Sequence, residues 1–443
     1  MAPHRFRRRH AVAAAALLIT TLAGAGPADG TPAAASAGAA PASAKGKGTN
    51  LLFAGLDVRK GMTREEIQRL HVGGQQCGCT DVLMLVHIAA DGRRVSVVSL
   101  PRDSFVRFAP HRHATHSGKI NGAYAEGGRE LTVRTVERAT GLRIDHYLET
   151  DFPRFVAAVD DLGGAEVCSD KPLRDENSGL DLAAGTHDID GLHALRYVRA
   201  RHLNPPGDLG RVRRQQKLLL GMLARLTDAQ VFKDPMTTAR TARTLMQHVR
   251  TDDHTDVRTL ASLAWKLRDL TPRQTEFATV PISNFDYRDP KWGSSLLWDD
   301  KRAKRMFGAL RADQPLTSTR KSGGPVPVGM PPHETRISVD DSRVAEGLRA
   351  SGFDVTETHA PADRPRRTVV TYDPERARYA PSLEAALPGA ELRPVAGTGP
   401  VFRVAVGSEQ QSVTQVTYDR SMVEGAPVTG DELRCGHPSG KKG

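Results

Sequence analysis

Three short apolar runs sit close together near the start of the chain, and the ways they can be joined limit the fold more than any other feature. Asn50–Leu56 reads as a buried first strand, and Val82–Ala90 and Val95–Leu100 are β-rich runs separated by Asp91-Gly92, a hairpin turn signal. Between the first two runs, Thr63 is followed three residues later by Glu66, the capping box that opens a helix over Thr63–Leu70. Helical patterns recur at 130–140, 151–160, 189–199, 208–226, 257–268 and 299–311, with short strands near 144–149 and 164–168. Strands alternating with helices predict a layered α/β/α domain around a central mixed sheet over 49–312. The Pro-, Gly-, Ser- and Lys-bearing stretch 313–333 reads as a linker. Strand-like segments at 336–339, 353–358, 367–372, 391–395 and 400–406, with helices at 342–350 and 374–387, predict a small α+β domain over 334–408. The polar tail 409–443 reads as disordered.

The first residues bear on the compartment. Arg5, Arg7, Arg8 and Arg9 precede an apolar run from Ala11 to Gly26, and Ala23-Gly24-Ala25 has the form of a cleavage site. About 16 residues of helix reach roughly 24 Å, short of the roughly 30 Å hydrocarbon core, so 1–26 reads as a cleaved signal peptide or as a short membrane anchor. Either places the rest of the chain outside the cytoplasm, membrane-anchored or secreted to the envelope, because the positive flank stays inside. Residues 27–48 form a flexible linker of Ala, Pro, Ser, Gly and Lys. The 443 residues carry a formal net charge of +11, of which the targeting segment supplies only part. The exported chain is therefore basic, and an anionic lipid at the membrane surface or a glycan phosphate is the expected partner rather than nucleic acid. No run approaches the roughly 18 apolar residues of a membrane helix, which excludes a polytopic membrane protein. Four cysteines exclude a disulfide-built scaffold.

The densest chemical signal lies at 193–217, where Arg196, Arg199, Arg201, Arg211, Arg213, Arg214 and Lys217 face a single acid, Asp208. Arg211 and Gln215 are four apart, on one face near the start of the expected helix, where backbone N–H groups also favour anions. Guanidinium forks bind phosphate oxygens in pairs; a solvated basic helix face is the plainer alternative. Asp57 ends the first strand and Asp81 precedes the second. If those strands are antiparallel, the two carboxylates meet at one sheet edge, which suits a Mg²⁺ ion bridging a diphosphate. Each alone could equally be a turn residue. Ser99-Leu100-Pro101-Arg102-Asp103 puts Arg102 and Asp103 directly after another strand end, where open α/β sheets collect their sites.

Taken together, the segments Leu52–Arg59, Thr80–Val86, Ser99–Asp103, Lys119–Tyr124, Asp161–Gly164, Gly191–Arg201 and Gly207–Gln216 resemble the LytR-CpsA-Psr family of bacterial envelope-assembly enzymes. Val344–Leu348 and Ser351–Val355 resemble the C-terminal domain often attached to that family. The resemblance implies transfer of a glycopolymer from a polyprenyl-pyrophosphate carrier to a peptidoglycan hydroxyl, usually the 6-OH of N-acetylmuramic acid. It implies Asp57 and Asp81 as Mg²⁺ ligands, Arg102, Arg199, Arg201 and Arg211 as the grip on the pyrophosphate, and Gln215 as a hydrogen-bonding neighbour. Catalysis would then be phosphoryl transfer driven by positioning and charge neutralisation. The prenyl tail would need an apolar tunnel between sheet and helices.

One departure is visible. The family often has an arginine two residues before the second aspartate, and here that position is Cys79. In an exported chain Cys77 or Cys79 is expected to pair with Cys168, leaving Cys435 unpaired or intermolecular. His111, His113 and His116 read as a solvated loop more readily than as a metal site. There is no G-x-S-x-G elbow, H-E-x-x-H or Walker loop. Two alternatives stay open: a pyrophosphatase acting on polyprenyl diphosphates, and a non-catalytic envelope protein that binds anionic lipid or polymer through the same arginines.

Overall fold

The computed structural model describes residues 48–434, apart from 74–76, 113–114, 170, 202, 204–206, 229–230, 318–323, 359–363, 410, 420–425 and the side chains of 207–209 and 227–228. The signal or anchor segment 1–26, nearly all of the linker 27–48, His113 and Cys435 lie outside the described residues. Among those described, no helix is long and apolar enough to cross a membrane.

The Asp91-Gly92 turn does what its sequence demands. Strand β1 (Thr49–Leu56) is followed by helix α1 (Arg64–Arg69), whose capping box at Thr63 and Glu66 is formed. Strands β2 (Thr80–Ile88) and β3 (Val95–Ser99) then pair antiparallel around Gly92, which sits at φ +71°. A small ribbon, β4 (Phe105–Arg107) with β5 (Ser117–Lys119), leads into α2 (Gly122–Thr140). β6 (His146–Asp151) runs parallel to β1 and passes into α3 (Phe152–Asp161) through Asp151, whose side chain caps the helix. Accessory strands β7 (Ala165–Ser169), β8 (Leu173–Asp175), β9 (Leu180–Leu182) and β10 (Gly185–Ile189) precede α4 (Gly191–Arg199) and α5 (Gly207–Asp228). The unit continues through α6 (Pro235–Met246), β11 (Arg250–Thr251), α7 (Val257–Lys266), β12 (Thr275–Thr279), the hairpin β13 (Ile282–Asp289) and β14 (Gly293–Trp298), and α8 (Asp300–Arg311).

The central sheet has the order β11-β6-β1-β2-β3-β12 with a short seventh strand, Val428–Thr429, beside β12. It is mixed: β1 pairs β6 in parallel and β3 pairs β12 in parallel, whereas β1 with β2 and β2 with β3 are antiparallel. Alternating residues of each strand feed two cores. Leu51, Met84, Val86 and Leu148 join α3 to α7 on one face, and Leu52, Ala54, Leu85 and Val98 join α2 and α8 on the other. The α/β/α sandwich expected from the sequence is the observed architecture.

The second unit spans 318–426. Its five-stranded sheet has the order β17 (Asp354–Glu357), β16 (Arg336–Val339), β20 (Phe402–Ala405), β18 (Val369–Tyr372), β19 (Glu391–Pro394). Helices α9 (Ser342–Ala350) and α10 (Ala380–Ala386) pack on it around Ile337, Leu348, Leu383 and Phe402. Its boundaries correct the sequence reading. β15 (Val326–Val328) lies in the stretch expected to be a linker, and it pairs with β21 (Val416–Tyr418) in the tail expected to be disordered.

Residues 427–434 return to the first unit. Val428 and Thr429 pair antiparallel with Phe277 and Glu276, a turn of helix follows over Gly430–Leu433, and Leu433 is buried in the same core as Leu220. The chain also leaves the unit beside that residue: the buried Glu276 carboxylate accepts from Leu316 N at 3.0 Å and Thr317 N at 2.9 Å, and from Ser96 Oγ at 2.6 Å. A side chain at Gly430 would place its Cβ 2.8 Å from the Pro272 carbonyl oxygen. Gly430→Val is therefore expected to unseat this segment and destabilise the first unit by about 1–3 kcal/mol, read as a lower urea midpoint in the full chain; an unchanged midpoint would show that the segment adds nothing to stability.

Candidate active site

The antiparallel pairing of β1 and β2 brings the two aspartates to one edge. Leu56 stands opposite Thr80 after a bulge at Gly55, and Asp57 N donates to the Cys79 carbonyl at 3.0 Å. The Asp57 carboxylate is buried and held in a fork by Arg59, with Nε 2.7 Å from Oδ1 and Nη2 2.9 Å from Oδ2. Asp81 accepts from Arg102 Nη1, which reaches it from the loop after β3. Arg102 Nε also lies 3.5 Å from Asp103, whose other oxygen is 3.0 Å from Lys119 Nζ. Burial alone would raise the Asp81 carboxyl, but the charges of Arg102, Arg211 and Arg201, with the Arg102 hydrogen bond, hold it below the ordinary aspartate value. Asp103 is likewise pushed up by burial, then held low by Arg102, the Lys119 hydrogen bond and Arg211.

Two helices deliver the other cations. Asp190 caps α4, accepting from His193 N at 2.8 Å, so that α4 ends on Arg199. Arg199 stands over the Phe152 ring at 5.3 Å and donates to the His71 carbonyl at 2.7 Å. Burial draws its pKa down and is opposed by the charges of Asp81 and Asp57. Arg201 follows two residues on, its backbone N–H held by Asp175 at 2.6 Å. On α5, Arg211 is 4% exposed and Gln215 8%. The solvated-face alternative therefore fails for Arg211, although Arg213 is exposed. Arg214 is buried as a strut, donating to the carbonyls of Tyr197 and Ala200, and Gln216 ties α5 to the sheet through Ser99 Oγ and the Ala278 carbonyl, both at 3.1 Å.

A cavity open to solvent lies between the sheet and α3, α4 and α5. Its walls are apolar, with Phe53 and Met84 from the sheet, Phe155 from α3 and Leu218 and Met222 from α5. The polar lining includes Asp81, Arg199, Arg211 and Gln215, and Leu51 and Val86 line it further along their strands. Of the residues expected at a site, these four share the cavity. Arg102 joins them through Asp81, Asp57 and Arg201 act at the same edge through charge, and Arg59, Asp103 and Lys119 are additional members. Arg59, Asp103 and Lys119 all stood in quoted motifs, but the sequence assigned none of them a role of its own.

Residues 28–311 match the family model of the LytR_cpsA_psr family, and residues 340–422 match that described as LytR cell envelope-related transcriptional attenuator. The chain belongs to the LytR-CpsA-Psr family. A relative named as a probable cell wall biosynthesis protein, LcpB of Corynebacterium glutamicum, is 36% identical over 265 residues, covering 60% of this chain and 61% of its own. The polyisoprenyl-teichoic acid–peptidoglycan teichoic acid transferase TagV of Bacillus subtilis is 32% identical over 159 residues, 35% of this chain and 40% of its own. The chain thus spans less than two thirds of the length of these curated relatives. The crystal structure of protein gbs0355 from Streptococcus agalactiae has the same fold, at a TM-score of 0.50 and 20% identity over 62% of this chain and 91% of that one.

The cysteine in place of the family's frequent arginine has a different partner from the one expected. Cys77 is bonded to Cys79, with their Cα atoms 5.1 Å apart, so neither pairs with Cys168, which is itself disulfide-bonded. The intervening Gly78 sits at φ +58°, the left-handed conformation that lets the chain double back between them. Cys79 Sγ also accepts from Asn121 Nδ2 at 3.6 Å. His116 lies 3.1 Å from Glu126, and no group of three or more His, Cys, Asp or Glu side chains that could hold a metal occurs among the described residues.

Because Asp81 and Asp103 are held below the ordinary aspartate value of about 3.9, they stay charged while normal carboxylates protonate. Their stabilisation is complete above about pH 5 and is lost progressively as the pH falls from there through their lower folded values. Urea titrations of wild type and Asp81→Asn are expected to differ by a constant interval from about pH 8 to about pH 5 and to converge below about pH 4; a gap that closes near neutrality would contradict the assigned charge pairing.

Proposed function

We propose that this protein transfers a glycopolymer from a polyprenyl-pyrophosphate carrier to a peptidoglycan hydroxyl, outside the cytoplasm and at the membrane surface. The observation that carries the reading is the junction of an apolar cavity with half-buried Arg199 and buried Arg211. That junction matches an amphiphile with a long hydrocarbon tail and a doubly charged head. The strand from Leu51 to Leu56 alone gives the cavity roughly 17 Å of length at about 3.3 Å per residue, enough for several isoprene units. The names of the relatives point to the same chemistry.

In this reaction the acceptor hydroxyl oxygen bonds to the phosphorus that carries the sugar. The bond from that phosphorus to the bridging oxygen breaks, polyprenyl phosphate departs, and the hydroxyl proton passes to a base. Arg102, Arg199, Arg201 and Arg211 hold and neutralise the diphosphate, and Gln215 orients it. The donor set at the sheet edge fits Mg²⁺: Asp57 and Asp81 offer two hard carboxylates, and phosphate and water complete the shell this ion prefers. Its contribution when bound would be to neutralise charge on the departing phosphate.

The test uses the purified chain, a synthetic polyprenyl-pyrophosphate oligosaccharide and a nascent peptidoglycan oligomer, with and without Mg²⁺. Acceptor-linked phosphodiester product is expected, lost with the metal and reduced at least about a hundredfold by Arg211→Ala. Phosphate release without glycan product would favour the pyrophosphatase, and tight lipid binding without turnover across a panel of donor glycans would favour a binding protein. Leu219→Trp, which fills the cavity wall, is expected to raise the KM for long-chain donors about tenfold and to leave short-chain donors little changed; equal effects on both would detach the cavity from the prenyl tail.

A further inference from the structure

We propose that Asp103, braced by Lys119, is the positioning residue that aims Arg102 at the diphosphate, an inference that rests on the phosphate-site reading above. The four side chains form a row of alternating charge. Asp81 takes the Nη1 side of Arg102, Asp103 Oδ2 lies 3.5 Å from its Nε, and Lys119 Nζ is 3.0 Å from Asp103 Oδ1. Each side chain is 25% exposed or less, so these charges act on one another with little screening.

The backbone beneath the row is held from two sides. Asn121 N donates to the Arg102 carbonyl at 3.2 Å, Ile120 N to the Ser104 carbonyl at 2.8 Å, and Leu296 N to the Asp103 carbonyl at 2.9 Å. The strand that supplies Lys119 therefore also clamps the loop that supplies Arg102 and Asp103, leaving side-chain torsions as the main remaining freedom. A guanidinium is a planar fork whose edges can serve different anions. With Asp103 beside the Nε edge, the Nη side can turn from Asp81 to a phosphate oxygen without the group leaving the site. The carboxylate that gives up its bond is Asp81, which keeps the charges of Arg211 and Arg201 as compensation, while Lys119 holds Asp103 in place by its other oxygen. The charge of Arg211 also reaches Asp103, so this carboxylate interacts with two of the cations expected on the diphosphate.

The test is isothermal titration of the full chain with inorganic pyrophosphate, alongside thermal unfolding of each variant. Asp103→Asn and Lys119→Met are each expected to weaken binding about tenfold, and the double variant little further, because both act through one path. Lys119→Arg is expected to restore affinity to within about threefold. Asp103→Glu keeps the charge and the ion pair with Lys119 but moves the carboxylate by one methylene, so it is expected to weaken binding about fivefold while the unfolding midpoint stays at the wild-type value. Multiplicative losses in the double variant, about a hundredfold, would make Lys119 a direct phosphate ligand and overturn the proposal. Wild-type affinity in Lys119→Met or Asp103→Glu would overturn it too. Failure of the unmodified chain to bind pyrophosphate would instead remove the diphosphate reading itself, and this inference with it.

Discussion

Charges kept largely out of water set the terms for the whole first unit. A carboxylate or guanidinium moved into low dielectric costs several kcal/mol unless a partner accompanies it, and one sheet edge here collects Asp57, Asp81, Arg102, Arg199 and Arg211. Four of these are tied in the fold: Asp57 to Arg59, Asp81 to Arg102, and Arg199 to the His71 carbonyl. Only the topology makes this possible. β2 runs against its neighbours, so Asp81, the second residue of that strand, meets the residues that follow β1 and β3. A wholly parallel sheet would have put Asp81 at the far end.

The same helices that carry the cations also wall the cavity, and that economy explains why α5 holds so many kinds of residue. Arg211 and Gln215 line the polar part of the cavity, Leu218 and Met222 line its apolar wall, and Arg214 and Gln216 bind the helix to α4 and to the sheet. A helix anchored by two buried polar struts cannot easily rotate, so the position of Arg211 relative to Asp81 is set by hydrogen bonds to main-chain carbonyls rather than by the ligand alone. Preorganised charge of this type is what phosphoryl transfer rewards, since little reorganisation then remains at the moment of reaction.

Much of this was legible in the sequence where local chemistry dictates geometry. The Asp91-Gly92 turn implied antiparallel strands, and the Thr63–Glu66 box implied α1, because both signals act within a few residues. The basic run at 193–217 was visible, but the division of labour within it was not. Arg211 and Arg214 are three apart on one helix, and only the carbonyls of Tyr197 and Ala200, exposed where α4 ends, turn the second arginine into a strut. An apolar tunnel between sheet and helices was implied by the resemblance, but its lining left no trace, because apolar residues that face a channel have the same spacing as those that fill a core. The hairpin β13–β14 was missed for a different reason: Phe285 and Tyr287 alternate with polar residues in β13, but β14 opens on Gly293-Ser294-Ser295, and Pro290 and Gly293 at the turn read as a loop. Cys77 and Cys79 were read against a distant partner, when a single left-handed glycine lets them reach one another.

The return of the chain to β12 was the least legible feature, and its physics shows why it is stable. Two residues of strand and one turn of helix would not hold structure alone, since nucleating so short a segment costs more than its own hydrogen bonds return. β12 supplies what is missing, because an edge strand presents a row of unsatisfied N–H and C=O groups. Val428 and Thr429 cover that edge, Leu433 enters the core beside Leu220, and Arg273 holds Asp431 at 2.7 Å. Meanwhile the Glu276 carboxylate, on the residue paired with Thr429, takes the N–H groups of Leu316 and Thr317 where the chain departs. The second unit is thus inserted between two points that are both tied at Glu276, rather than appended to a finished domain. The first unit's sheet is complete only when the chain beyond the insertion has come back to it.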